Sequence, residues 1–148
     1  LFMNDSSTCE LTLKRNKTNF KKIKISSSID ANKYARQFYG DDLTIYESVF
    51  LILLNNQNET IGFAKISQGG VGSSIIDAKI LLKFCIESLA SACILVHNHP
   101  SGTLIPSVAD KKITTKIQNA VKFFDSKLLD HIILTEDAYY SFGDEGVL

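Results

Sequence analysis

The order of apolar and polar residues divides the chain into alternating helical and extended segments. Residues 46–54 form an almost continuous apolar run, which is typical of a central strand buried on both faces. The turn-forming residues 55–59 follow, so the next apolar segment is predicted to return as the second strand of a hairpin. The same patterns predict helices over 29–39, 77–91 and 107–125, and strands over 60–67, 92–96 and 130–137.

Polar and glycine-rich stretches mark the remaining connections. Residues 68–74 (QGGVGSS) are predicted to form a flexible loop, and residues 138–146 a closing hairpin. Ser28 or Asp30 has the side chain expected at the N-cap of the first helix. Because helices alternate with strands, the chain is predicted to be a layered α/β domain in which helices flank a mixed sheet.

The composition is that of an ordinary globular domain. The chain has 148 residues, of which 45% are hydrophobic and 22% charged, and these values exclude a disordered, collagen-like or coiled-coil chain. We find no signal-peptide pattern and no apolar run near the ~18 residues of a membrane span, so we expect a cytoplasmic protein without membrane contact. The three cysteines include no CxxC pair, which argues against a disulfide framework or a cysteine-rich zinc site. Cys85 and Cys93, unlike Cys9, lie among apolar residues and are predicted to be buried free thiols.

Charge is balanced overall but not along the chain. Sixteen Lys and Arg offset sixteen Asp and Glu, so no net field attracts nucleic acid or a membrane. Residues 14–24 hold six basic side chains and no acid, which leaves the remainder with six more acidic than basic residues. We therefore predict a polar, basic N-terminal arm over residues 1–26 and a folded domain over residues 27–148. The arm, which includes Phe20, has two interpretations. It either contacts nucleic-acid phosphates or is a solvated extension, and we favour the solvated extension.

The sequence HNHPSG at residues 97–102 is the first candidate for chemistry. His97 and His99 are two residues apart at the end of a predicted strand, and alternate residues of a strand point to the same face. Both imidazoles can therefore converge on one point, as a metal site requires. A strand-end HxH by itself is more often non-metal than metal, because histidine also serves as an ordinary polar residue.

Asp110 is a third candidate ligand. On a helix that begins at Ser107, a rotation of about 100° per residue places Asp110 near the centre of the apolar face. A carboxylate directed at a core is costly unless a cation, a metal or hydrogen-bond donors accompany it, and a metal held by the two histidines would be such a partner. Ser107 and Asp110 also fit a capping box, a role that does not exclude a second one.

His131, which follows Asp130, has two interpretations. The pair can orient a metal ligand from outside the coordination shell. Alternatively, His131 is a hydrogen-bonded structural residue at the start of a strand, the interpretation that we favour on the residues alone.

The combined pattern H-x-H-x7-S-x2-D is far more specific than its parts. It resembles the metal signature of the JAMM (MPN+) metalloproteases. The fuller string HNHPSG…PSxxD, followed by LLDHIIL and YYSF, resembles the RadC branch of that superfamily over residues 30–148. The resemblance implies an MPN-type α/β fold related to cytidine deaminases, with one zinc ion per chain bound by His97, His99 and Asp110.

The same resemblance implies roles for Glu47 and Ser107. It assigns a catalytic glutamate near the start of the first long strand, which here is Glu47, and it assigns Ser107 to steadying the oxyanion or the metal-bound water. Glu47 is in phase with Val49 and Leu51, so it belongs to one face of the predicted strand. An ordinary strand-edge acid is the alternative for Glu47.

These residues favour a zinc-dependent hydrolase of the JAMM type. The metal would lower the pKa of its bound water from 15.7 toward ~7, Glu47 would accept the proton, and Ser107 would help stabilise the oxyanion. The resemblance implies an amide or isopeptide bond of a peptide or protein as the target. One alternative is an accessory protein of DNA repair that binds or processes nucleic acid and uses residues 14–24. Its main support is the DNA-repair label that the RadC family carries. Another alternative is a zinc-stabilised scaffold without turnover.

Overall fold

In the described part of the chain, five strands form one mixed sheet flanked by three α-helices. In the computed structural model, which describes residues 8–69 and 76–148, the strand order is β2-β1-β3-β4-β5. β3 and β4 run parallel, and every other neighbouring pair is antiparallel. The elements are α1 (Ser28–Arg36), a 3-10 turn (Asp41–Thr44), β1 (Ser48–Leu54), β2 (Thr60–Gln68), α2 (Ala78–Glu87), β3 (Ala92–Asn98), α3 (Val108–Lys122), β4 (Lys127–Leu134) and β5 (Tyr139–Ser141). The predicted α/β class with a mixed sheet is thus confirmed.

The sheet separates two apolar cores, because alternate residues of its central strands point to opposite faces. On one face, Phe50 and Ile52 of β1 belong to the core that includes α1. On the other face, Leu51 and Leu53 belong to the core that includes α2 and α3. Every residue of β1 and β3 is buried, and full burial of one aliphatic side chain contributes about 1.5–3 kcal/mol. A site at the end of β3 therefore rests on well-packed strands.

Helix α1 begins one serine earlier than the sequence indicated. Its N-cap is Ser27, whose extended backbone and side-chain bond from Asp30 N–H at 3.3 Å are those of a cap. The prediction of Ser28 or Asp30 as the N-cap was therefore wrong. In a run of three serines the residue types alone do not fix which one caps.

The other element boundaries shift by a few residues. β3 continues past its predicted end, since His97 and Asn98 still pair with β4. β4 begins at Lys127 and ends at Leu134, three residues before the predicted start and end. Of the predicted loop at residues 68–74, only the first two residues lie in the described part of the chain.

The end of the basic arm lies against the domain. The Phe20 ring is 5.8 Å from the Phe38 ring, centroid to centroid, and Ile25 N–H donates to the Asn58 carbonyl at 2.8 Å. The described residues before Phe20 are mostly exposed. The aromatic contact therefore anchors one end of the arm beside α1.

The described thiols agree with the expected distribution. Cys85 and Cys93 are buried in the core beside α2, Cys9 is exposed, and all three are free. Among the helices described, none combines the length and the apolar character needed to cross a bilayer.

Candidate metal centre

Two histidine rings meet at the carboxyl end of β3. His97 lies within the strand and is 1% exposed, whereas His99 follows the strand and is partly exposed. His99 N–H donates to the Leu134 carbonyl at 2.8 Å, which keeps the chain alongside β4 beyond the last ladder pair. The two Nε2 atoms lie 2.9 Å apart. The sheet thus directs both rings to one point.

Asp110 joins the histidines from helix α3. It is the third helical residue and is buried, with Oδ1 3.3 Å from His97 Nε2 and Oδ2 3.7 Å from His99 Nε2. One ligand atom from each of the three residues lies within 4.8 Å of the others. This group could hold a metal ion, and two imidazoles with one carboxylate form a donor set that suits zinc among other transition metals.

The start of α3 holds the Asp110 carboxylate in place. Ser107 Oγ accepts Asp110 N–H at 3.0 Å, and Asp110 Oδ2 accepts Ser107 N–H at 2.7 Å, so the predicted capping box is confirmed. Burial raises the pKa of Asp110, but the hydrogen bond and charge of His97 and the bonds from Ser107 outweigh it and hold the pKa well below its usual range. The carboxylate is therefore ionised at neutral pH and favours a positive charge beside it.

The Nδ1 atom of each ring is within hydrogen-bond distance of a partner, and the proton position on Nδ1 determines whether the Nε2 atom can accept or bind a metal ion. His99 Nδ1 lies 2.8 Å from the Thr103 carbonyl oxygen, which can only accept, so His99 Nδ1 carries the proton. His97 Nδ1 is 2.8 Å from His131 Nε2. When His97 is neutral and also carries its proton on Nδ1, both Nε2 lone pairs face each other and the Asp110 carboxylate. Three acceptors directed at one point need a cation between them, so the donor set fits a metal ion.

His131 is a buried contact of this group. Its ring lies beside His97 and Thr114 and stacks on Phe142, with centroids 4.6 Å apart. Burial holds the pKa of His131 well below its usual value, so the ring is neutral. His131 therefore contacts a candidate ligand, as the first of its two interpretations required.

Asp130 does not take part in that contact. Its Oδ1 atom accepts the backbone N–H of His131 at 2.7 Å and that of Gly143 at 2.9 Å, while Oδ2 accepts the Ser141 hydroxyl at 2.6 Å. The carboxylate thus ties the turn after β5 to β4. The alternative in which Asp130 and His131 act as a pair that orients a ligand is not what the structure has, because Asp130 bonds to the His131 backbone.

Glu47 lies one residue before β1 and is partly buried. The predicted strand began at residue 46, whereas the observed one begins at Ser48. Val49 lies opposite His97 in the antiparallel ladder. The ladder ends there, and the same register extended by two residues would place Glu47 opposite His99.

Asn98 is a residue of the site that the sequence pattern did not single out. Its Oδ1 atom accepts Ser48 N–H at 2.7 Å, and its Nδ2 atom donates to the carbonyls of Leu43 and Tyr46 at 2.7 and 2.8 Å. These bonds fasten the segment that carries Glu47 to the strand that carries the histidines. Strand alternation was the available signal, since it turns the middle residue of HNH to the other face.

A cavity of about 380 Å³ adjoins the site on the side of His99. It lies between the turn at residues 99–104, the 3-10 turn and residues 135–138. The volume falls within the range of small-ligand pockets. A small molecule or a segment of a peptide therefore has room beside the partly exposed His99.

The comparisons with known proteins agree with this architecture. The mixed sheet flanked by helices, with a His-x-His pair facing a helix-borne aspartate, is consistent with a JAB-type domain. Residues 25–147 match the family model described as "RadC-like JAB domain". The chain belongs to that family.

Its curated relatives share the domain but are longer. A protein of Flavobacterium johnsoniae is 45% identical over 84% of this chain and 53% of its own length. A protein of Porphyromonas gingivalis is 41% identical over 69% and 45%, and one of Shewanella pealeana is 31% identical over 98% and 64%. Each is named only "UPF0758 protein". The chain spans about half the length of the first of these relatives.

Proposed function

We propose that this protein is a zinc-dependent hydrolase that cleaves an amide or isopeptide bond in a peptide or protein substrate. The observation that carries the proposal is the convergence of two imidazole nitrogens and one ionised carboxylate whose other polar atoms are engaged elsewhere. Family membership supports a metal-dependent hydrolase in general. The zinc identity and the bond cleaved are our inference from the donor set and the domain type.

His97, His99 and Asp110 would hold the ion, which when bound supplies Lewis acidity that polarises a carbonyl and acidifies water. Glu47 would accept a proton from water and later deliver it to the leaving amine. The Ser107 hydroxyl would donate to the oxyanion that develops on the substrate carbonyl. Asn98 would keep Glu47 at a fixed distance from the histidines, because it bonds to the backbone on both sides of that residue.

Zinc content and turnover, measured on the same preparations, test this proposal. The probes are a fluorogenic peptide library and peptides joined through a lysine isopeptide bond. Glu47→Gln is expected to keep one zinc per chain and to lose turnover at least 100-fold, the scale of general acid–base catalysis. His97→Ala and Asp110→Asn are expected to lose both.

The outcomes separate the assigned roles. Full zinc content in Asp110→Asn would reject the ligand assignment. Wild-type turnover in Glu47→Gln would reject the proton-transfer role. A zinc-loaded wild type without turnover on any probe would favour a zinc-stabilised scaffold.

A second candidate function, nucleic-acid binding, is favoured by the exposure of the basic residues at 14–24. Only Lys22 among them forms a described ion pair, with Glu59 at 2.9 Å. Binding of this type would weaken steeply with salt. Replacing Lys14, Lys17 and Lys21 by alanine should then abolish retention on duplex DNA and leave hydrolysis unchanged, and DNA retention that survives these changes would exclude the arm.

A further inference from the structure

A continuous chain of buried hydrogen bonds runs from α3 through β4 to the candidate ligand His97. Thr114 Oγ1 lies 2.6 Å from the Asp110 carbonyl oxygen and 2.6 Å from His131 Nδ1. His131 Nε2 lies 2.8 Å from His97 Nδ1. All four residues are buried, so water does not compete for these bonds.

The position of each proton follows from what each atom can do. A carbonyl oxygen only accepts, so the single Thr114 hydroxyl proton is donated to Asp110. Thr114 Oγ1 must then accept from His131, which places the His131 proton on Nδ1. The His131 Nε2 lone pair in turn accepts from His97 Nδ1–H, and in the neutral His97 ring this leaves Nε2 as an acceptor.

We propose that Thr114 is a positioning residue of the metal centre. Its hydroxyl, acting through His131, holds His97 in the tautomer that presents an unprotonated Nε2 atom to a metal ion. This inference rests on the proposed metal site but assigns residues outside it. Without the Thr114 hydroxyl, His131 loses its acceptor, adopts the Nε2–H tautomer and donates to His97 Nδ1. The His97 proton then sits on Nε2, where it competes with the metal.

The same turn of α3 thereby acts on two of the proposed ligands, Asp110 and His97. Thr114 follows Asp110 by four residues, so both lie on the same face of α3. Asp110 contributes a carboxylate directly, and Thr114 sets the tautomer of a ligand that belongs to the sheet. The stacking of His131 on Phe142 keeps the intermediate ring in the plane that this requires.

Zinc affinity of three threonine variants, measured by competition with a chromophoric chelator, is the first experiment. Thr114→Val is expected to weaken zinc binding about 10- to 100-fold, the usual cost of losing an outer hydrogen-bond partner of a ligand. Thr114→Ser keeps the hydroxyl and is expected to remain within about threefold of the wild type. Thr115→Val is the matched control, because the exposed Thr115 makes the same hydroxyl bond to a carbonyl four residues back, at 3.1 Å to Lys111, on the side away from the site.

Imidazole ¹⁵N NMR of the metal-free protein is the second experiment and does not depend on zinc. The wild type is expected to show His131 protonated at Nδ1, and Thr114→Val to move that proton to Nε2. His131→Gln, whose amide oxygen can still accept from His97, is expected to bind zinc more tightly than His131→Leu.

Each result decides a separate point. Wild-type zinc affinity in a folded Thr114→Val protein would overturn the inference while leaving the proposed function intact. So would His131 protonated at Nε2 in the wild type. If Thr114→Val does not fold, equal zinc affinities of His131→Gln and His131→Leu would overturn it instead. A wild type that binds no zinc but shows His131 protonated at Nδ1 would remove the proposed function and keep the hydrogen-bond chain.

Discussion

Two helices on opposite faces of the sheet begin with the same local pattern, Ser-x-x-Asp, and use it differently. At α1, Ser27 caps the helix and the Asp30 carboxylate accepts Ser26 N–H at 2.9 Å. At α3, Ser107 caps the helix and Asp110 accepts Ser107 N–H, but the same carboxylate also lies 3.3 Å from His97. Local chemistry builds both helix ends, and only the tertiary neighbours make one of them a candidate ligand.

The difference lies in what each helix start faces. α1 packs on the face of the sheet where aromatic rings fill the core, including Phe38 stacked on Phe63 with centroids 4.0 Å apart. α3 packs on the face where β3 ends in histidine. An aspartate at the third helical position therefore only caps the helix in α1, whereas in α3 it also lies beside the imidazole of His97. This makes the start of α1 an internal control for the start of α3.

Removal of the proposed zinc ion is expected to have the largest effect on stability. Zinc at 1,000 times its dissociation constant stabilises a folded protein by about 4 kcal/mol, which for a chain of this size shifts Tm by roughly 8–16 °C. Thermal unfolding with zinc and with excess chelator measures the shift. Asp30→Ala should show the full shift and Asp110→Ala almost none; equal shifts in the two variants would erase the distinction between the helix starts.

Much of this comparison was predictable from the sequence. Helical phase alone turned Asp110 toward the core, and strand alternation brought His97 and His99 to one face, because both depend on residues that are close in the chain. The serine that caps α1 was misassigned, since neighbouring serines are equivalent in residue type and differ only in backbone conformation.

The contacts of His131 and Asn98 were not predictable in the same way. His131 reaches His97 only because β3 and β4 pair with Leu95 opposite His131, a register between distant segments that no local pattern fixes. Asn98 fastens residues 43–48 through their backbone atoms, which carry no sequence signal. The bonds from Ser141 and Gly143 to Asp130 were equally unpredictable, since they join β4 to the turn after β5.

The second-largest expected effect is the difference in zinc affinity between Asp110→Ala and Asp30→Ala. Asp110→Ala removes a proposed ligand and should weaken binding by more than the roughly 10- to 100-fold typical of an outer hydrogen-bond partner. Asp30→Ala removes only a cap contact and should leave the dissociation constant unchanged. Isothermal titration or chelator competition gives both values, and tight zinc binding by Asp110→Ala would place the ion elsewhere.

Removing the two cap hydroxyls should have equal, smaller effects. Ser27→Ala and Ser107→Ala each lose a bond to the third helical N–H, which costs about 1 kcal/mol of unfolding free energy. Urea denaturation of the metal-free proteins measures this cost. Zinc affinity should stay within about threefold of the wild type in both, because Asp110 keeps its bond from Ser107 N–H, a backbone group. A much larger loss of zinc for Ser107→Ala would mean that the serine hydroxyl orients the carboxylate.

The smallest expected difference is in the acid dependence of stability. Hydrogen bonds from Ser26 and Ser27 lower the pKa of Asp30, and the contacts to His97 and Ser107 outweigh burial to lower that of Asp110. A carboxyl whose pKa is lower in the folded state stabilises the fold above its unfolded pKa, near 3.8, and loses this contribution as pH falls through the folded value. In the metal-free protein, the stability advantage of the wild type over Asp110→Asn should therefore shrink as the pH falls below about 4. Asp30→Asn should show the same sign with a smaller amplitude, because Asp30 has no imidazole beside it. Urea denaturation midpoints measured between pH 5 and 3 test this, and a wild-type advantage over Asp110→Asn that grew as the pH fell from 5 to 3 would contradict the role given to Asp110.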